Sequence, residues 1–139
     1  MTNLVRYDSV PAREVLVARG RGGGVWQWYA DIEAKFRPVG LSVVRVHTSP
    51  DAVRRVEQGG LAGAVLVTDG RRIDGLSLLR IIRSIDAQLP CWLVTSDTTR
   101  HTLQAALALR ATSVIHDSTG ARELSLALRN ALIRTVRDN

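Results

Sequence analysis

The sequence predicts an α/β fold, a parallel sheet with helices on both faces, and three observations carry that expectation. Short β-branched runs alternate with longer stretches of helical periodicity along the whole chain. Val15–Ala18 and Ala64–Asp69 are apolar almost throughout, as strands covered on both faces must be. A chain of 139 residues with 45% hydrophobic content is large enough for one domain with its own core and needs no staples.

The strand candidates are Val15–Ala18, Leu41–Val46, Ala64–Thr68, Cys91–Thr95 and Ser113–Ile115, each bounded by glycine, proline or polar residues. Helical segments lie between them. Val25–Phe36 is the first. Pro50–Gln58 is the second, with Ser49 as expected N-cap, Pro50 at the first helical position and Asp51 in the positively polarised first turn. In Leu76–Ile85, Leu76, Leu79 and Ile82 recur on one face with Leu78, Ile81 and Ile85 beside them, Arg80 and Arg83 are expected outside, and Asp74 is the candidate cap. The fourth helix is expected at about 99–109 and the fifth at about 121–136, where Leu124, Leu128, Ala131 and Leu132 form a stripe against Arg122, Arg129 and Arg134. Five βα units in series imply a parallel sheet covered on both faces. Right-handed crossovers leave two main strand layouts, of which the flavodoxin-like order 2-1-3-4-5 is one. Residues 1–12 read as a polar tail and 13–139 as a single domain without repeats or an internal linker.

Composition excludes several classes. One cysteine, Cys91, cannot make an intrachain disulfide, and its apolar setting makes it a core residue. No stretch approaches the length of a membrane span, and the start lacks a signal-like apolar core, so a cytoplasmic location is expected. The net charge of +6 raises nucleic acid as a partner. The arginines are scattered among acids, however, without a long basic run or interleaved aromatics, so that partner is not expected.

Ligands of such a sheet sit at the carboxyl ends of its strands, and there the chain carries a resemblance. Gly63–Asp69 followed by Ile73-Asp74-Gly75-Leu76-Ser77-Leu78-Leu79-Arg80 resembles the third strand, loop and third helix of bacterial response-regulator receiver domains. Pro90–Ser96 is similar to that family's fourth strand, and Ala105–Ala111 to its fourth helix and following turn. The resemblance runs from about Arg13 to Leu132. It implies a receiver-like three-layer sandwich, with sheet order 2-1-3-4-5 and five helices.

It also implies where activity would reside, and there the chain departs from the pattern. The family's Mg²⁺-binding acidic pair falls on Ala18 and Arg19, and a guanidinium offers a divalent cation only donors and positive charge. The phosphoacceptor matches Asp69, with a loop about two residues short, while an ungapped count from Gly75 places Val67 there. The phosphate-contacting hydroxyl matches Thr95. The strand-five lysine falls on Asp117, its following proline on Ser118, and the aromatic switch residue on Val114. Phosphoryl transfer to an aspartate needs preorganised cations against its developing charge, and Asp117 supplies the wrong sign. Arg19 either pairs with Asp69 where the cation would sit or is a solvated loop residue.

The expectation is a degenerate receiver, a stand-alone signalling module of the two-component type that binds protein without Mg²⁺-dependent aspartyl phosphorylation, with no cofactor and no enzymatic activity. Two alternatives stand beside it: residual phosphorylation of Asp69, or an anion- or nucleotide-binding protein using Gly20–Gly24, a loop that fits neither phosphate-binding pattern. His47, His101 and His116 lack metal-ligand spacing. The expected contact, to a partner or a second copy, is the face of the fourth helix, fifth strand and fifth helix, with Arg110 and Arg129 on it. Trp28 is the other docking candidate, because Trp26 and Tyr29 share a helical face from which it diverges.

Overall fold

A computed structural model describes residues 14–20, 25–68, 73–117, 126 and 128–130, with the backbone alone at 25–28. Five parallel strands, β1 (Glu14–Ala18), β2 (Ser42–Val46), β3 (Leu61–Val67), β4 (Cys91–Thr95) and β5 (Ser113–His116), form one sheet of order β2-β1-β3-β4-β5. The helices between them are α1 (Val25–Phe36), α2 (Ser49–Gln58), α3 (Gly75–Ile85) and α4 (Arg100–Ala108). Residues 126 and 128–130 are helical, within the expected fifth helix. The fold is the receiver-like, flavodoxin-like sandwich.

Strand alternation sends side chains to two cores. Val15, Val17, Val65 and Val67 face Tyr29, Ile32 and Phe36 of α1, and Leu128 joins this first cluster. Leu16, Ala18, Ala64 and Leu66 face Ala52 and Val56 of α2, Leu78, Leu79 and Ile82 of α3, and Ala106 of α4. Between β1 and β3 the register slips by one residue at Glu14/Val15. That bulge turns Ala62 to the same side as Val65 and Val67, which strict alternation would not do. β3 accordingly starts three residues before its expected beginning.

Several local expectations are corrected. The α2 N-cap is Thr48, not Ser49: Thr48 is extended and its Oγ1 accepts from the Asp51 N–H at 3.3 Å. Ser49 and Pro50 are then the first two helical residues. After α1 a 3₁₀ turn, Arg37–Val39, closes on Gly40 at φ 80°, because Pro38 has no N–H with which to continue an α-helix. Asp74 does cap α3, accepting from the Leu76 N–H at 3.2 Å and the Ser77 hydroxyl at 2.8 Å.

On α3 the buried stripe is narrower than the periodicity suggests. Leu78, Leu79 and Ile82 are buried, while Ile81 and Ile85 lie 45% and 39% exposed. Arg83, expected outside, folds back half-buried. Its guanidinium donates to the carbonyls of Leu109 (2.8 Å), Asp86 (3.2 Å), Leu89 (2.8 Å) and Arg110 (3.0 Å). Arg129 is also half-buried, with its Nε shielded from solvent, so it is not part of an open arginine face. Cys91 is buried, and burial pushes its thiol up to about 11, which keeps it protonated.

Candidate functional site

The carboxyl edge of the sheet gathers the ends of all five strands. β1 delivers Ala18, fully buried, level with Val46 of β2 and Leu66 of β3. Arg19 follows, half-buried, and its backbone is held from both sides. Its N–H donates to the Val46 carbonyl at 3.0 Å, and its carbonyl lies 2.8 Å from His47 Nδ1, which must carry the proton to donate there. The guanidinium's Nη1 is shielded from solvent.

Tyr29 closes this corner from α1. Its hydroxyl reaches the carbonyls of Val17 at 3.3 Å and Val46 at 3.5 Å. The ring meets His47 edge-on at 5.8 Å, and the Arg45 guanidinium lies 5.3 Å over it while also pairing with Glu33. Burial pushes the phenol up to about 12, against the lowering influence of Arg19 and Arg45. The position matched to the family's acidic pair is thus apolar at Ala18 and flanked by the Arg19 and Arg45 guanidinium groups.

β3 ends at Val67, buried in the first cluster, so an ungapped acceptor at Val67 would be an aliphatic side chain with no oxygen to phosphorylate. Thr68 continues the ladder by donating its N–H to the Val94 carbonyl at 2.9 Å. Its Oγ1 turns to the start of α3 and accepts from the Gly75 N–H at 2.8 Å. Glycine fits this close approach: a Cβ at Gly75 would run into Leu93 Cδ1 and stand 2.7 Å from Thr68 Oγ1, so either side chain would have to shift. Asp69, residues 21–24 of the glycine loop and the Trp28 side chain lie outside the described residues.

Thr95, at the end of β4, is 3% exposed. Its Oγ1 accepts from the Asp97 N–H at 3.0 Å, which ties the hydroxyl to the β4–α4 loop. The Asp97 carboxylate in turn accepts from the Thr102 hydroxyl at 2.8 Å and the Thr99 N–H at 3.1 Å. Those bonds, the Thr102 hydroxyl foremost, hold its carboxyl below the usual aspartate value. Thr99 caps α4. On β5, Val114 is half-buried against the second cluster, and the exposed Asp117 sits with its carboxylate 3.6 Å from His116 Nδ1.

Ala18, Arg19, Thr95 and Asp117 therefore lie along one edge, as the sequence places them. Thr68 is read at this edge from the sequence, whereas Asp97 went unrecognised as a member of it. Asp97 was open to detection, since aspartate followed by threonines two and five residues on is a loop-and-cap pattern; the bond from the Gly75 N–H to Thr68 Oγ1 carried no such signal. Arg110 is exposed at φ 58°, just past the end of α4. Among the described residues no three His, Cys, Asp or Glu side chains converge as metal ligands, and no helix is long and apolar enough to cross a membrane.

No family model and no curated protein matches this chain. Solved structures do. A response-regulator receiver domain protein, CheY-like, from Methanospirillum hungatei JF-1 is 13% identical with a TM-score of 0.73, over 91% of this chain and 98% of that one. The signal receiver domain of an HD domain-containing protein from Pseudomonas fluorescens Pf-5 is 17% identical with a TM-score of 0.72, over 93% of each chain. A two-component response regulator from Clostridium difficile is 17% identical with a TM-score of 0.68, over 88% of this chain and 96% of that one. The likeness is one of fold.

Proposed function

We propose that this chain is a receiver-like signalling module that acts by binding protein and takes up no phosphoryl group through Mg²⁺. The observation that carries the reading is the end of β1, where a buried Ala18 and a half-buried Arg19 stand at the positions matched to the family's acidic pair. A divalent cation needs several oxygen ligands, and neither side chain has one. Loss of a bound metal removes several kcal/mol of stabilisation for the charge that builds during phosphoryl transfer. A further feature points the same way: β5 is followed by the Asp117 carboxylate where the family carries an ammonium group.

Incubation with acetyl phosphate and Mg²⁺, followed by intact-mass spectrometry, is expected to show no added phosphoryl group, and beryllofluoride should leave the spectrum of backbone amide shifts unchanged. A Mg²⁺-dependent mass increase that disappears in Asp69→Asn would refute the reading and establish a working acceptor.

A further inference from the structure

Among the described strands, β2 ends the sheet on one side. The Arg19 N–H donates to the Val46 carbonyl, so Val44 and Val46 turn their backbone groups toward β1, and Val43, between Ser42 and Val44, turns its N–H and carbonyl outward. Among the described residues no hydrogen bond reaches those two outward groups. Natural edges are blunted by bulges, prolines and charges. β2, Ser42-Val43-Val44-Arg45-Val46, pairs with β1 without a register shift and holds no proline. Its one charge, Arg45, is drawn over Tyr29 and onto Glu33 of α1.

Beside that edge lies a hollow of about 240 Å³ lined by Glu33, Arg37, Leu41, Ser42, Val43 and Arg45. Leu41 and Val43 are its apolar wall, and two guanidinium groups outnumber one carboxylate. Glu33 is engaged by Arg45 and stands 4.0 Å from Arg37, whose side chain is 80% exposed and has room to turn to a ligand. Val43 points to this α1 side of the sheet. A residue paired opposite Val43 on an added strand therefore sends its side chain into the hollow. Charge decides the occupant. In antiparallel pairing with a second copy, centring on Val43 or Val44 puts Arg45 of the copy opposite Leu41 or Val43, in this positive hollow. Centring on Arg45 sets two arginines face to face. Each arrangement brings like charges together, which opposes association.

We propose that the β2 edge takes an extended segment of a different protein as an added antiparallel strand, with a glutamate of that segment in the hollow. This rests on the reading of the chain as a protein-binding module and names how its partner is recognised. The segment exchanges two backbone hydrogen bonds with Val43. The glutamate stem lies along Leu41 and Val43, and its carboxylate meets Arg37 and Arg45. In such strand addition the backbone bonds supply affinity and the side-chain pocket supplies selectivity.

The test uses the full chain and two synthetic extended peptides of alternating valine and threonine, identical except for a central glutamate in the first and a central lysine in the second. Fluorescence anisotropy is expected to show the glutamate peptide binding about tenfold more tightly, the gap that exchanging attraction for repulsion at two guanidinium groups provides. That gap should narrow with added salt, and Arg37→Glu should remove it. Val43→Pro deletes the outward N–H without removing a bond to β1, so it should abolish binding while the circular dichroism stays unchanged. Methylating the peptide nitrogens that face the edge should abolish binding to the wild-type chain. Amide exchange at Val43 should be fast in the dilute chain alone and slowed by the glutamate peptide. Failure of both peptides, equal binding, a preference that survives Arg37→Glu, or binding that survives methylation overturns the proposal. A Val43 amide already slow to exchange in the dilute chain shows the edge covered from within and overturns it too. A dimer in sedimentation that Val43→Pro dissociates overturns it in favour of a second copy. Phosphoryl uptake at Asp69 would defeat the metal-free reading and leave the peptide result standing, so the two failures are distinguishable.

Discussion

Gly75 and Thr68 show how little room the edge of the sheet leaves for variation. The Gly75 N–H donates to Thr68 Oγ1 at 2.8 Å, and the space a Cβ would need is already filled by Leu93 Cδ1 and that same hydroxyl. Gly75→Ala is expected to destabilise the fold by about 1–3 kcal/mol, the range for an added group in a packed site, despite the better helix propensity of alanine. Chemical denaturation checks this, and a midpoint at or above wild type would show that the loop yields freely. The Asp74-Gly75 pair was legible as a helix start, but the reason for glycine was not, because Leu93 and Thr68 come from β4 and from the residue following β3 and meet Gly75 only in three dimensions. Arg19 is the converse case. Its identity alone argued against a metal site, whereas its backbone ties to Val46 and His47 had no trace in local sequence.

Elements were legible where their signals are local. Val25–Phe36 and Cys91–Thr95 match their expected bounds, since each has clear punctuation on either side. The early start of β3 and the outward Ile81 and Ile85 were not, because one depends on a bulge against β1 and the others on which flank of α3 meets a neighbour. Arg83 belongs to this scale. From α3 it reaches carbonyls before β4, at Asp86 and Leu89, and after α4, at Leu109 and Arg110, so one side chain ties three elements together. Arg83→Met keeps the apolar stem but leaves those partly buried acceptors unmatched. It is expected to cost about 2–4 kcal/mol, since hydrogen bonds to charged groups contribute more than neutral ones and orphaned acceptors add a desolvation penalty. Arg83→Lys should recover only part, because a single ammonium cannot span the fork of four carbonyls. Full recovery by lysine in urea denaturation would show that charge, not geometry, holds the elements.

At the scale of the whole molecule, the two cores each hold one acid that must stay neutral. Tyr29 sits in the first cluster with its phenol pushed up to about 12, and Cys91 in the second with its thiol pushed up to about 11, both by burial. The ordinary values are 10.0 and 9.0. A group whose folded pKa is raised contributes stability that is fully present below its unfolded pKa and is lost as pH rises through the folded one. The Cys91 contribution should therefore erode between pH 9 and 11 and that of Tyr29 between pH 10 and 12. The positive charge does not confound this, because Lys35 is the one lysine and arginine stays charged throughout the range. Stability is expected to be level from about pH 7.5 to 9 and then to fall, by about 2–3 kcal/mol per pH unit where both groups titrate, each proton contributing about 1.4 kcal/mol per unit. Urea midpoints taken at intervals up to pH 12 measure the slope. Cys91→Ala should remove the earlier part of the decline and Tyr29→Phe the later part, each lowering stability at neutral pH through lost packing or a lost hydrogen bond. If the double variant declines as steeply as wild type, the alkaline transition arises elsewhere, and neither core depends on a buried neutral acid.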